Sequence, residues 1–171
     1  MSYLRNLDES QQSQIEAELT AYFGSVKSNG VSTVAEPGAN SYNSFFSNRM
    51  ALVQAIRQGI PTELFLSIGK STPFSDSDWS EFLNISQKSL QRYKKDKAHV
   101  FKTIHSEKII ELAEVTSLGK EVFDNTEQFY LWLSTPSFAL GNMKPFELLK
   151  DSYGKELVMN ELNRIDQGVF A

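Results

Sequence analysis

The chain has 171 residues, of which 17 are Lys or Arg and 21 Asp or Glu, for a formal net charge of −4; 40% are hydrophobic, 12% aromatic and none is cysteine. That is enough chain for one good core or two small cooperating ones, and the composition excludes a disordered chain, a disulfide scaffold and a thiolate metal site. No apolar run approaches the roughly 20 residues of a membrane span, and "MSYLRNLDESQQSQIEAELT" has no basic segment followed by an apolar one, so a cytoplasmic protein with no membrane partner is expected.

In chain order, residues 9–23 place Ile15, Leu19, Tyr22 and Phe23 at helical spacing and predict one amphipathic helix. The stretch "GSVKSNGVSTVAEPGANSYNSFFSN" reads as a linker, with a short strand at "VSTVA". Short helices separated by turn signals follow. "NRMALVQAIRQG" has Met50, Val53, Ile56 and Arg57 at three- and four-residue steps and stops at Gly59. Pro61 suits the first turn of the next helix, "PTELFLSIGK". "PFSDSDWSEFLN" starts a third, with Ser75 or Ser77 as N-cap and Asp78 and Glu81 in its early turns. A fourth begins after Ser86, with Leu90 turned inward toward Trp79, Phe82 and Ile85. "SEKIIELAEVTSLGKEVF", "NTEQFYLWLST", "KPFELLKDS" and "GKELVMNELNRIDQG" are helical again. No convincing period-two strand and no repeat is visible, so the fold class is mainly α.

Positive charge is concentrated in "NISQKSLQRYKKDKAHVFK", residues 84–102. Lys88, Arg92, Lys94, Lys95, Lys97 and Lys102 face one acid, Asp96, so the window is +5 and the remainder −9. A run of lysines alone is more often a solvated helix face. Here the run follows an apolar partner helix (Trp79, Phe82, Leu83), a corner that caps and anchors (Asn84, Ile85, Ser86), and long polar donors near the helix start. That is the pattern of a helix-turn-helix. Ser86, Gln87, Lys88, Gln91 and Arg92 lie where a recognition helix meets base edges, Gln suiting adenine and Lys or Arg suiting guanine. Lys94 and Lys95 lie further along, where phosphates give affinity without sequence information.

Enzyme chemistry finds little support. His99 and His105 are six apart with no carboxylate constellation near them, so no metal is expected. "GKST" at 69–72 has Leu64 where a phosphate-binding loop needs its first Gly, and "SIGK" at 67–70 lacks the companions of a Ser-x-x-Lys site. No catalytic residue and no cofactor is assigned. Trp132, Leu133, Leu140, Phe146, Leu148 and Leu149 read as core, Gly141 and Gly154 as backbone requirements, and Pro136 and Pro145 as turn punctuation. The tail "NRIDQGVFA" leaves Val169, Phe170 and Ala171 beyond a helix-stopping Gly168; such a tail either folds back onto its own domain or enters a partner.

The ordered series Phe123, Trp132–Leu133, Pro136, Leu140–Gly141, Pro145, Leu148–Leu149, Gly154 and Ile165 with Gly168 resembles the C-terminal toxin-binding region of the Xre/ParS/MbcA-type antitoxins. "ISQKSLQR" is similar to that family's helix-turn-helix, and together the likeness covers about residues 46–171. Asn142 stands where the family has a second Gly, Ser89 where it has Thr, His105–Ser106 where it has Glu-Ser, and Glu111 where it has Arg. The resemblance implies three regions: an N-terminal extension at 1–45, a helix-turn-helix domain at 46–102 and a toxin-binding domain at 103–171. It implies an antitoxin of a type II toxin–antitoxin system that binds a RES-domain, NAD-degrading toxin and represses its own operon at promoter DNA. The partners would be that toxin, the promoter and a second copy of the chain in a homodimer. It also turns the tail toward the toxin, with Arg164, Asp166, Gln167, Gly168, Val169 and Phe170 as contacts. The other reading of the same residues is a stand-alone transcription regulator with a C-terminal dimerisation domain.

Overall fold

Asn48 opens the first long helix by accepting from the Ala51 amide at 3.1 Å, and Gly59, at φ +90°, closes it. The computed structural model describes residues 21–22, 46 and 48–168. The expected linker, the "VSTVA" strand and most of the helix at 9–23 lie outside those residues; Ala21 and Tyr22, which belong to that helix, are helical.

The elements are α1 (Arg49–Gln58), α2 (Thr62–Ser71), α3 (Asp76–Phe82), α4 (Gln87–Lys95), α5 (Thr103–Val122), α6 (Thr126–Ser134), a 3-10 turn (Phe138–Leu140), α7 (Pro145–Leu148) and α8 (Ser152–Asp166). Among the described residues there is no sheet, only two isolated bridges, Pro61–Val100 and Ser137–Met143. The mainly helical fold is the one the sequence predicts. Local chemistry sets several boundaries as expected. Ser75 and Asp78 form a reciprocal capping box, Ser86 caps α4 through the Ser89 amide, and Pro145 occupies the first turn of α7. Pro61 sits one residue earlier than expected, as the N-cap of α2.

α1 turns a different side inward from the one its spacing singles out. Leu52 and Ala55 are buried, whereas Met50 and Val53 are 68% and 40% exposed. The long helix α5 lies against α1, and the small Ala55 lets the two backbones approach.

α5 is buried nearly all round, with Ile109, Ile110, Leu112 and Val115 in the core and Ser106, Thr116, Ser117 and Gly119 also inside. Such a helix is a central strut rather than a surface helix. α1, α2 and α8 all pack on it. Ser106 fastens the junction: its hydroxyl accepts from the Ile60 amide at 2.9 Å and donates to the Phe101 carbonyl at 3.0 Å. Glu114 binds Arg49 of α1 at 3.2 Å and also Lys155 of α8. Aromatic contacts continue the core across the molecule, from Phe65 to Trp79 (ring centroids 5.1 Å), Phe74 to Phe82 (5.1 Å) and Phe82 to Phe146 of α7 (4.7 Å).

Leu133, Leu148 and Leu149 are buried as expected, and Trp132, Leu140 and Phe146 are half-buried against them. Gly141 (φ +69°) and Asn142 (φ +61°) make consecutive left-handed steps; Asn tolerates that conformation, so the second glycine of the family pattern is replaced without loss of the turn. Gly154 is needed for space, since a Cβ there would lie 2.0 Å from the Leu148 carbonyl oxygen.

Candidate functional site

α3 and α4 meet through a four-residue corner, Leu83 to Ser86. Leu83 is buried beneath it and Asn84, at φ +51°, supplies the left-handed step that reverses the chain. The Ile85 amide donates to the Ser80 carbonyl at 3.0 Å and holds the corner closed. α4 then hangs on one buried residue, Leu90, 0% exposed. Its far end is fixed to α2: the Thr62 hydroxyl lies 3.1 Å from the Tyr93 carbonyl and 3.2 Å from that of His99. The His99 ring stacks on Tyr93 at 3.9 Å. Burial holds His99 and His105 below the usual imidazole range; for His99, Asp96 opposes that shift and Arg92 reinforces it.

With Leu90 inward, the helical step decides where each polar residue goes. Positions two before, two after and five after Leu90 lie roughly 140–200° round the helix from it. They are Lys88, Arg92 and Lys95, all exposed. Three cations therefore form the outward face, and Ser86 and Gln87 are exposed at the start of the helix. The first turn of α4 holds no acid and carries Lys88, against the preference of a helix N-terminus for negative charge.

The remaining expected DNA contacts, Gln87, Gln91 and Lys94, lie on the side facing α3 and are engaged there. Gln87 Nε2 donates to Ser77 Oγ at 3.1 Å. Gln91 Nε2 donates to Asp76 Oδ2 at 2.6 Å, and Lys94 Nζ lies 2.7 and 2.9 Å from the two Asp76 oxygens. The Lys94 bond, helped by the one from Gln91, holds the Asp76 carboxyl below its usual range although burial opposes the shift. The seven residues thus divide into an outward set and a tethered set. Sequence reading of the basic window did not include Asp76, though its place at the first turn of the preceding helix is a usable signal.

The other acids of α3 reach the C-terminal half. Glu81 binds Lys150 at 2.7 Å, and Lys150 also binds Glu147, so both carboxylates hold the ammonium charged. Asp78 lies 3.5 Å from the Tyr130 hydroxyl, whose proton is retained by burial and by that carboxylate. Glu111, where the family has Arg, accepts from Lys108 and Ser152, each at 2.6 Å. Lys108 also donates to the Leu149 carbonyl at 3.0 Å, so this departure is absorbed by a local ion pair.

At the C-terminal end, Asp166, Gln167 and Gly168 are exposed, and Arg164 pairs with Glu161 at 2.9 Å. Val169 and Phe170 lie outside the described residues. Five large apolar side chains that the sequence did not mark as contacts stand in water nearby in the chain: Phe138 (89% exposed), Tyr153 (86%), Leu131, Leu157 and Met143. Periodicity could have flagged Tyr153 and Leu157, four apart on α8. Phe138 opens a three-residue 3-10 turn, where no period exists to read. Among the described residues no cluster of three or more His, Asp or Glu could hold a metal, and no helix is long and apolar enough to cross a membrane.

A helix-turn-helix with a cationic outward face, joined through a common strut to a helical unit with exposed apolar side chains, is a protein of two binding surfaces. Residues 51–114 match the antitoxin Xre-like helix-turn-helix domain, and residues 118–168 match the antitoxin Xre/MbcA/ParS C-terminal toxin-binding domain. The chain belongs to this family and is the antitoxin of a toxin–antitoxin system. The C-terminal match is to a toxin-binding domain, and the reading as a stand-alone regulator is dropped. A chain in the crystal structure of the M. tuberculosis MbcT–MbcA toxin–antitoxin complex is similar at 21% identity and a TM-score of 0.49, over 72% of this chain and 99% of that one. No curated protein matches the sequence.

Proposed function

We propose that this antitoxin neutralises a RES-domain, NAD-degrading toxin by binding it through residues 103–171, and represses its own operon by binding promoter DNA through residues 46–102 as a homodimer. The observation that carries the DNA half is the outward set on α4. Lys88, Arg92 and Lys95 share the face opposite Leu90. A solvated surface helix of an acidic protein has no need of three cations and no acid on one face. A major groove, with phosphates on its rims and guanine acceptors on its floor, does. The match of residues 118–168 to a toxin-binding domain, together with the exposed Phe138, Tyr153 and Leu131 inside it, supports the protein partner. The end of α8 (Arg164, Asp166, Gln167, Gly168) with Val169 and Phe170 completes the proposed contact set.

The test is co-expression with the RES-domain protein of the same operon. Co-purification, loss of the toxin's NAD consumption in the complex, and salt-dependent binding to the upstream DNA are expected. Equal affinity for promoter and random DNA at physiological salt would remove the repressor role. Undiminished NAD consumption in a stable complex would remove neutralisation by occlusion.

A further inference from the structure

Asp76 is the only residue of α3 that two side chains of α4 reach: Gln91 through Nε2 at 2.6 Å, and Lys94 through a bidentate contact at 2.7 and 2.9 Å. A carboxylate accepts and does not donate, so it fixes which end of the Gln91 amide turns toward it. The nitrogen must face Asp76, because the flipped amide would set one oxygen against another. The amide oxygen and the second N–H of Gln91, which is exposed, then remain for an outside partner. A donor and an acceptor side by side match the N7 acceptor and N6 donor of adenine. Lys94, held by both carboxylate oxygens, is at the same time withdrawn from phosphate.

We propose that Asp76 is the specificity-determining residue of this helix-turn-helix. It sets Gln91 to read one adenine per half-site and keeps Lys94 from adding sequence-blind affinity. The inference rests on the DNA-binding reading above. It predicts that an acid placed beside the DNA surface lowers total affinity and raises discrimination.

The experiment uses the full-length chain with three variants: Asp76→Ala, Gln91→Ala and the double variant. Glu63→Gln, on the exposed side of α2, controls for loss of one negative charge. Each protein is titrated against the promoter fragment, against a set of that fragment's single-base substitutions, and against random DNA over a salt series. The wild type should discriminate one adenine per half-site by on the order of ten- to a hundred-fold. Asp76→Ala should lose that preference, bind random DNA more tightly than Glu63→Gln does, and steepen the log–log salt slope by about 0.9 per protomer as Lys94 is released. In the Gln91→Ala background, Asp76→Ala should change the salt slope but not the base preference. If the wild type discriminates among bases and Asp76→Ala keeps the full pattern, the assignment of Asp76 is overturned while DNA binding stands. If the wild type shows no base preference, both readings fall. Folding is followed by circular dichroism, and Asp76→Asn, which can accept or donate to a freed Gln91 amide, should give an intermediate loss if orientation is the mechanism.

Discussion

The two candidate binding surfaces of this antitoxin expose opposite chemistry on one core. The outer face of α4 and the turn after it show water Lys88, Arg92, Lys95 and Lys97; the C-terminal unit shows it Phe138, Tyr153, Leu131, Leu157 and Met143. The difference is what the two proposed partners would require. A polyanion is bound by charge and counterion release, which needs cations held outward. A folded protein is bound largely by anchors that leave water, which needs apolar groups left uncovered in the free state. Beneath the surfaces the distinction disappears. α5 serves both halves, and residues 115–117, between the two family matches, fall inside it. The surfaces are therefore separable by point substitution and not by cutting the chain.

The largest test of that statement is Trp79→Ala. Trp79 is 2% exposed beneath the corner, with Phe65 and Phe74 against its ring, and its loss should cost about 3–5 kcal/mol. Calorimetry should show one cooperative transition moved down as a whole. Two transitions, with the C-terminal one unmoved, would mean that the halves have separate cores.

Next in size is Phe138→Asp. Phe138 is 89% exposed, so the free protein should melt as before. Burial of such a ring in a complex contributes about 1.5–3 kcal/mol. The toxin complex should weaken by roughly that amount, read by calorimetric titration, while promoter affinity is unchanged. Unchanged toxin affinity would restrict the contact to the end of α8. On the other surface, Arg92→Ala should lose about 1–3 kcal/mol of base discrimination. Lys95→Ala should weaken every sequence alike and flatten the salt slope. Both variants should neutralise toxin normally; failure to do so in a folded variant would show that α4 belongs to the toxin interface.

How far the sequence carried this picture varied with the length scale of the cause. Caps, stops and left-handed turns depend on a few consecutive residues, and Ser75, Ser86, Asn142 and Gly168 were readable for that reason. Leu90 was readable because a single apolar residue in a polar helix has one place to go. The inward side of α1 was not, because Met50, Val53 and Ile56 keep helical steps as well as Leu52 and Ala55 do; only the position of α5, some fifty residues on, decides between them. The division of α4 into outward and tethered cations has the same origin. Helical phase relative to Leu90 separates the adjacent Lys94 and Lys95, but the partner that tethers Lys94 is Asp76, eighteen residues away. Ser106 was noticed as part of a departure from the family pattern, but its two buried hydrogen bonds join segments that no local window contains.

The smallest expected effect concerns the C-terminal half of α4, which is held at Asp76 by charge and at His99 by packing. His99 is half-buried between Tyr93 and Phe101, with ring centroids at 3.9 and 4.9 Å, and burial is the main cause of its lowered pKa. Asp96 pulls the value back up, while Arg92 pushes it further down. His105 is lowered in the same way, by burial and then by Lys102 and His99. In the unfolded chain both rings take up a proton near pH 6.5. In the folded protein they resist protonation until a lower pH, so between those values the unfolded state binds more protons and stability falls as pH falls. Above about pH 7 both rings are neutral in either state, and the full stability is present. Glu121 acts with the opposite sign: burial and the neighbouring Asp166 carboxylate raise its pKa, so it favours the folded state as it protonates. The expected result is a melting temperature that is flat from about pH 8 to about pH 7 and declines by a few degrees toward about pH 5.5. His99→Phe keeps an aromatic ring against Tyr93 and should remove part of the decline; replacing His105 as well should remove the rest. A decline that survives both substitutions would place the acid sensitivity elsewhere, and packing at His99 would then have no titrating component.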